Sequence, residues 1–245
     1  MAKRKKRSTA PLDELGGFAD GGLAILDEND ARIHMTPARV AAALRYFVAR
    51  VQLHDAQGIP SRLALTAALG GEGVTYVTRS LASVIAYDTE ASVVIVDLNW
   101  RRPTPEVEGK PKLVGLADAV EHGVPVDDII HRTSNPRLSF VPAGEAPVAR
   151  RPALAGSKTL VAVLDELEER FDHLLLDLPP VLASSEAMNL SQLADSYVLV
   201  VQQGVTAESQ VEAALEELQG GEALGVILNR FDSRIPKRLR RLVGT

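Results

Sequence analysis

The sequence predicts a doubly wound α/β domain whose mainly parallel sheet is flanked by helices. Three observations predict it. Strand-like and helix-like segments alternate over most of the 245 residues. The strand-like runs are short and continuously apolar, as parallel strands covered on both faces should be. Finally, 46% of residues are hydrophobic but only 4% aromatic, which favours helices on an aliphatic sheet over a sandwich. Repeated β-α-β units of this kind bind ligands at the carboxyl ends of their strands.

Strands are expected at 63–68, 92–98, 137–143, 173–179, 196–202 and 223–229, with helices at 74–87, 114–122, 159–170, 187–194 and 207–219. A further helix is expected after Met35, with Thr36 as its N-cap and Pro37 at its first position. Val40, Leu44, Phe47 and Val51 form its apolar stripe. Residues 1–34 mix charge, Gly and Pro without periodicity and read as a mostly disordered arm. Residues 35–232 read as one domain and 233–245 as a basic tail. Residues 101–112 and 143–158 are Pro-rich, charged and long for loops, which suggests binding, lid or mobile segments.

The absence of cysteine excludes disulfides, thiolate metal sites and cysteine nucleophiles. Five histidines are scattered without metal-ligand spacing, and a net charge of −5 gives no reason to expect nucleic-acid binding. No apolar run approaches the roughly 18–20 residues that span a bilayer. The basic start has no hydrophobic region behind it, so a cytosolic protein is expected. Lys3 to Arg7, together with Arg234, Lys237, Arg238, Arg240 and Arg241, make both ends basic, enough to touch an anionic membrane surface.

Chemistry concentrates in three places. Ala68-Leu69-Gly70-Gly71-Glu72-Gly73-Val74-Thr75 has the length and helix context of a phosphate loop. Its glycines let backbone amides curl around an anion, and the following helix adds its positive end. Thr75 stands where a hydroxyl would ligate Mg²⁺, but Val74 stands where the lysine belongs. The second place is the strand ending on Asp97, followed by Asn99, Arg101 and Arg102. The third is the strand ending on Asp177. Carboxylates at such strand ends hold Mg²⁺ or its water shell in phosphate-loop proteins. A dinucleotide fold is the competing reading, since Gly71-x-Gly73 begins G-x-G-x-x-G; Tyr76 at the third glycine position argues against it.

These motifs resemble the bacterial tyrosine kinase family of capsule and exopolysaccharide systems, of the P-loop MinD/ParA-like type, over residues 36 to 232. Where the family typically has PGEGKS, this chain has Gly70 to Thr75. For DADLRRP it has Asp97 to Pro103, and for IIDTPPVL it has Leu176-Asp177-Leu178-Pro179-Pro180-Val181-Leu182. "GLADAVEHG", "LSFVPAGEAP", "LADSYVLVV" and "LGVILNRFD" follow in the family's order. The resemblance implies ATP or ADP with Mg as cofactor. It implies Gly70, Gly71, Glu72, Gly73, Val74, Thr75 and Asn229 at the nucleotide, and Thr75, Asp97 and Asp177 at the metal. Asp97 and Asp177 become vestigial catalytic positions, and Asn99 replaces a catalytic aspartate.

Five departures point the same way. They are Val74; Asn99; Gln202 and Val205 for the Arg and Lys of V-V-R-x-G-K-T; Arg39-x-x-Ala42-x-x-Arg45 for the ring-assembly motif E-x-x-R-x-x-R; and "RIPKRLRRLVGT" for a tyrosine-rich tail. All four tyrosines (Tyr46, Tyr76, Tyr87, Tyr197) lie within the domain. The resemblance therefore implies an impaired, pseudokinase-like relative. It would act at the inner face of the inner membrane on the cytosolic ends of a polysaccharide co-polymerase. An active autokinase using Arg101 or Arg102 as its cation and a surface-positioning module of the ParA/MinD kind are the alternatives.

Overall fold

The computed structural model describes residues 21–27, 32–54, 58–101, 113–218 and 221–230. It opens with a two-stranded antiparallel sheet, β1 (Leu23–Leu26) and β2 (Arg32–Thr36), followed by α1 (Ala38–His54). Then come β3 (Arg62–Ala67), α2 (Val74–Asp88), β4 (Val93–Asp97), α3 (Leu116–His122), α4 (Val126–Ile129), β5 (His131–Arg132) and β6 (Leu138–Val141). The remaining elements are α5 (Arg151–Ala155), α6 (Lys158–Glu168), β7 (His173–Asp177), α7 (Ala187–Ser191), β8 (Ser196–Gln202), α8 (Glu208–Glu217) and β9 (Glu222–Asn229).

Seven strands form one sheet in the order β5-β6-β4-β7-β3-β8-β9, parallel throughout except for β5 on β6. The apolar runs supply both faces, because successive side chains point to opposite sides of a strand. Leu65, Ile95 and Leu175 pack on one side with Leu44, Leu81 and Ile85 of α1 and α2. Ala64, Val96 and Leu176 pack on the other with Leu116, Leu160 and Leu164 of α3 and α6. The six expected strands are all present and in this sheet. Because β7 lies between β3 and β4, the two strands flanking the glycine loop's helix are not neighbours. In a dinucleotide fold the first two strands pair, so the sheet order removes that reading.

The expected arm at 1–34 is corrected over its last part: β1 and β2 are ordered, and Leu23 and Ile25 pack into the core beneath α2. The pattern concealed β2 because it is inverted. His34 and Thr36 face inward, while Ile33 and Met35 are 43% and 42% exposed. The start of α1 is also shifted. Pro37, not Thr36, offers the first carbonyl, accepting from the amides of Val40 and Ala41 at 2.8 and 3.0 Å. The Thr36 hydroxyl is buried without a hydrogen-bond partner.

Residues 143–158 are not a long loop. Residues 148–150 make a single 3₁₀ turn that leads into α5, and Ser157 caps α6 by accepting from the Leu160 amide at 3.1 Å. The short α4 and β5 went unanticipated. Residues 1–20, 102–112 and 231–245, including Arg102 and both basic ends, lie outside the described residues. Among the described residues no helix is long and apolar enough to cross a membrane.

Candidate nucleotide site

Beyond β3 the chain turns through the glycine loop into α2. Gly71 and Gly73 take φ of 92° and 94°, the left-handed region that costs glycine least. The Gly73 carbonyl accepts from the Val77 amide at 3.0 Å, so α2 begins directly on the loop. Asn229, at the end of β9, donates from Nδ2 to the Glu72 carbonyl at 2.8 Å. The Glu72 side chain is only 3% exposed. Its Oε2 accepts from the Leu69 amide at 2.8 Å, while its Oε1 accepts from the Thr206 hydroxyl and from the Gln202 amide at 3.4 Å. The Glu72 carboxylate and the Asn229 amide nitrogen, expected at the nucleotide, are thus engaged in holding the loop's shape.

Above the loop lies a cleft of about 650 Å³, with Gly70, Gly71, Gly73, Val74, Thr75 and Asn99 on its walls. Gly70 is exposed, and Val74 presents an aliphatic side chain where a phosphate-binding lysine would stand. Asp97 and Asp177 are register partners at the ends of β4 and β7, and at 3% and 2% exposure they lie under the cleft rather than on its walls. Asp97 Oδ1 accepts from the Asn99 amide at 2.9 Å. Burial, then the adjacent Asp97 charge, pushes the Asp177 carboxyl up to about 8, against the opposing pull of the Thr75 hydroxyl and the Arg79 guanidinium.

Two buried oxygens here, Asp177 Oδ1 and Asn99 Oδ1, have no hydrogen-bond partner. An orphaned carboxylate oxygen beside a second carboxylate and a threonine hydroxyl is a donor set suited to a hard divalent cation. Among the described residues no cluster of three or more His, Cys, Asp or Glu could hold a metal. A Mg²⁺ ion would therefore rest on Thr75, Asp97, Asp177, water and the phosphates themselves. Thr75, Asp97 and Asp177 lie together at this end of the cleft.

Three features of the cleft escaped the sequence reading. Arg79 of α2 and Arg230 after β9 line it beside the anticipated Arg101, and so does His34 from β2. His34 Nε2 shares a 2.9 Å hydrogen bond with Ser80 Oγ, and its ring meets Tyr76 edge-on at 5.0 Å. Burial, then the nearby Arg79 charge, lowers its pKa to about 4. On the outer surface, Arg45 from the altered assembly motif makes a two-point contact with Asp88 at 2.7 and 3.0 Å.

Sheet order, loop and strand-end carboxylates define a P-loop α/β domain. Residues 61–239 match the family of the cellulose biosynthesis protein BcsQ, and the chain belongs to that family. It is 28% identical over 177 residues to the tyrosine-protein kinase CpsD of Streptococcus agalactiae, covering 71% of this chain and 76% of that one. The kinase domain of the Escherichia coli tyrosine kinase ETK superposes with a TM-score of 0.71 at 20% identity, over 96% of this chain and 86% of that one. The septum site-determining protein MinD of Pyrococcus horikoshii OT3, solved with Mg-ADP, gives 0.56 at 22% identity over 76% and 77%. At these identities the two solved structures show the fold.

Proposed function

We propose that this protein is a kinase-like accessory of an exopolysaccharide assembly system that binds nucleotide weakly and no longer transfers phosphate. One observation carries the reading. The loop keeps its backbone, its threonine and its paired carboxylates, while Val74 and Asn99 remove the cation and the third carboxylate. Amides of the glycine loop and the start of α2 would hold the phosphates. Thr75, Asp97 and Asp177 would hold Mg²⁺, which supplies charge neutralisation when bound. With Asn99 in place of an acid, no carboxylate remains at that position to take a proton from an attacking hydroxyl.

The family's description and the kinase names of the relatives support a role beside polysaccharide synthesis, with cellulose the polymer that the family description specifies. The protein would dock on the cytosolic segments of an inner-membrane polysaccharide co-polymerase and act through its occupancy state. Co-purification with such a membrane protein in mild detergent tests the partner.

Calorimetric titration with Mg-ATP and Mg-ADP tests the site, beside a Val74→Lys variant. Restoring one charge-assisted contact is expected to tighten binding by about ten- to a hundredfold. The natural protein should carry no phosphotyrosine. Phosphotyrosine that forms with ATP and disappears in Asp177→Ala would overturn the proposal in favour of an active kinase.

A further inference from the structure

Val74 withholds the loop's cation, yet the cleft holds three arginines among its described residues: Arg79, Arg101 and Arg230. They are not equivalent. Arg230 is exposed, and its Nη1 donates to Gln202 Oε1 at 3.0 Å, at the β8–β9 end of the cleft. Arg101 is exposed, after the end of β4. Arg79 differs in being half-buried and in standing on α2, four residues beyond Thr75. That spacing puts the two side chains on one helix face, one turn apart.

The surroundings hold the Arg79 guanidinium on the carboxylate side of the cleft. Its central carbon lies 5.5 Å from the centroid of the Phe140 ring on β6, a contact that favours a flat, oriented fork. Its charge is felt by Asp177 on one side and by His34 on the other. At the ends of β4 and β7, Asp177 Oδ1 and Asn99 Oδ1 accept from no protein donor, acceptor capacity suited to a cation that would itself bridge to a phosphate.

We propose that Arg79 is the phosphate-binding cation of this cleft, gripping the terminal phosphate of a nucleoside di- or triphosphate in place of the lysine that Val74 replaces. A guanidinium presents two parallel N–H donors to a phosphate, where an ammonium offers a single point charge. Its origin on the second turn of α2, rather than in the loop, directs the fork to the phosphate nearest Thr75, Asp97 and Asp177. His34 lines the same cleft, neutral and bonded to Ser80, and so adds no second positive charge there. The inference rests on the nucleotide reading of the site.

The test is titration of the full chain, Arg79→Gln and Arg79→Lys with Mg-ATP, Mg-ADP and AMP, with the melting temperature of each unliganded protein. Arg79→Gln is expected to weaken ATP and ADP by about ten- to a hundredfold. AMP, lacking the distal phosphate, should change by less than about threefold. Arg79→Lys should recover much of the loss, which a packing role would not produce. Binding of ATP by Arg79→Gln as tightly as by the parent overturns the proposal and leaves the nucleotide reading standing. Silence of the parent toward all three ligands overturns the nucleotide reading and this proposal together. If Arg79→Gln melts lower without ligand, Arg79→Lys decides: affinity near the parent's supports the role, and affinity no better than that of Gln overturns it.

Discussion

Asn229 fills the space that a side chain at Gly73 would need. Its amide nitrogen lies 2.2 Å from where a Cβ would stand, and it donates to the neighbouring Glu72 carbonyl. Gly73→Ala therefore combines left-handed backbone strain, about 1–3 kcal/mol, with a steric conflict. The melting temperature should fall by roughly 3–10 °C. Gly71→Ala has similar strain but nothing within 4 Å of the added carbon, so its loss should be smaller. Equal losses at the two glycines would show that the Asn229 contact does not matter.

Glu72 ties Leu69, Gln202 and Thr206 to one buried carboxylate. Glu72→Gln keeps one acceptor and turns the other into a donor facing an N–H or O–H group. Urea denaturation should register a loss of roughly 1.5–3 kcal/mol, the worth of charge-assisted bonds. A variant as stable as the parent would mean that the loop holds its shape without them.

Asp177 should make stability depend on pH. Its folded pKa is raised to about 8 from an ordinary carboxylate value, so the folded chain holds a proton that the unfolded chain releases. The stability linked to that proton is present below about pH 4 and is lost as pH rises through about 8. Asp177→Asn removes the slope, and its advantage over the parent should grow between pH 5 and 8 by on the order of 3 kcal/mol. Mg²⁺ should stabilise the parent more at pH 8 than at pH 6, an effect that EDTA removes and the variant lacks.

His34 should act in the opposite sense. Its pKa is lowered from 6.5 to about 4, so the unfolded chain takes up the proton first as the solution is acidified. Stability is intact above about pH 6.5 and declines toward pH 4. His34→Gln, which can still bond Ser80, should flatten that decline by roughly 2–3 kcal/mol in chemical denaturation across the window. Parallel curves for parent and variant would contradict the buried, neutral imidazole.

The sheet was legible because its strands carry continuous apolar runs and the loop carries glycines at informative spacing. The elements that went unread lack such patterns. In β2 the apolar residues Ile33 and Met35 face outward. In α5 Arg151 and Pro152 looked like loop, though proline suits a helix start. Within the site, the proximity of Thr75, Asp97 and Asp177 follows from strand ends and a helix start that motif order could place. Arg79 and His34 were not legible, because their meaning comes from long-range packing: His34 meets Ser80 across 46 positions of chain. Glu72 was read as a ligand contact, yet Thr206, 134 residues away, takes one of its oxygens.

The placement of β7 between β3 and β4 has a consequence for biosynthesis. Thr66, beside the loop, bonds the Pro179 carbonyl 113 residues later, and the loop's brace Asn229 comes 157 residues after Glu72. A chain emerging from the ribosome therefore exposes its glycine loop long before the strand and asparagine that frame it have been made. Pairings of such sequence separation form slowly. Nascent chains arrested before Asp177 should lack the assembled pocket, so ligand cannot assist the earliest steps of folding and can only stabilise a nearly finished protein.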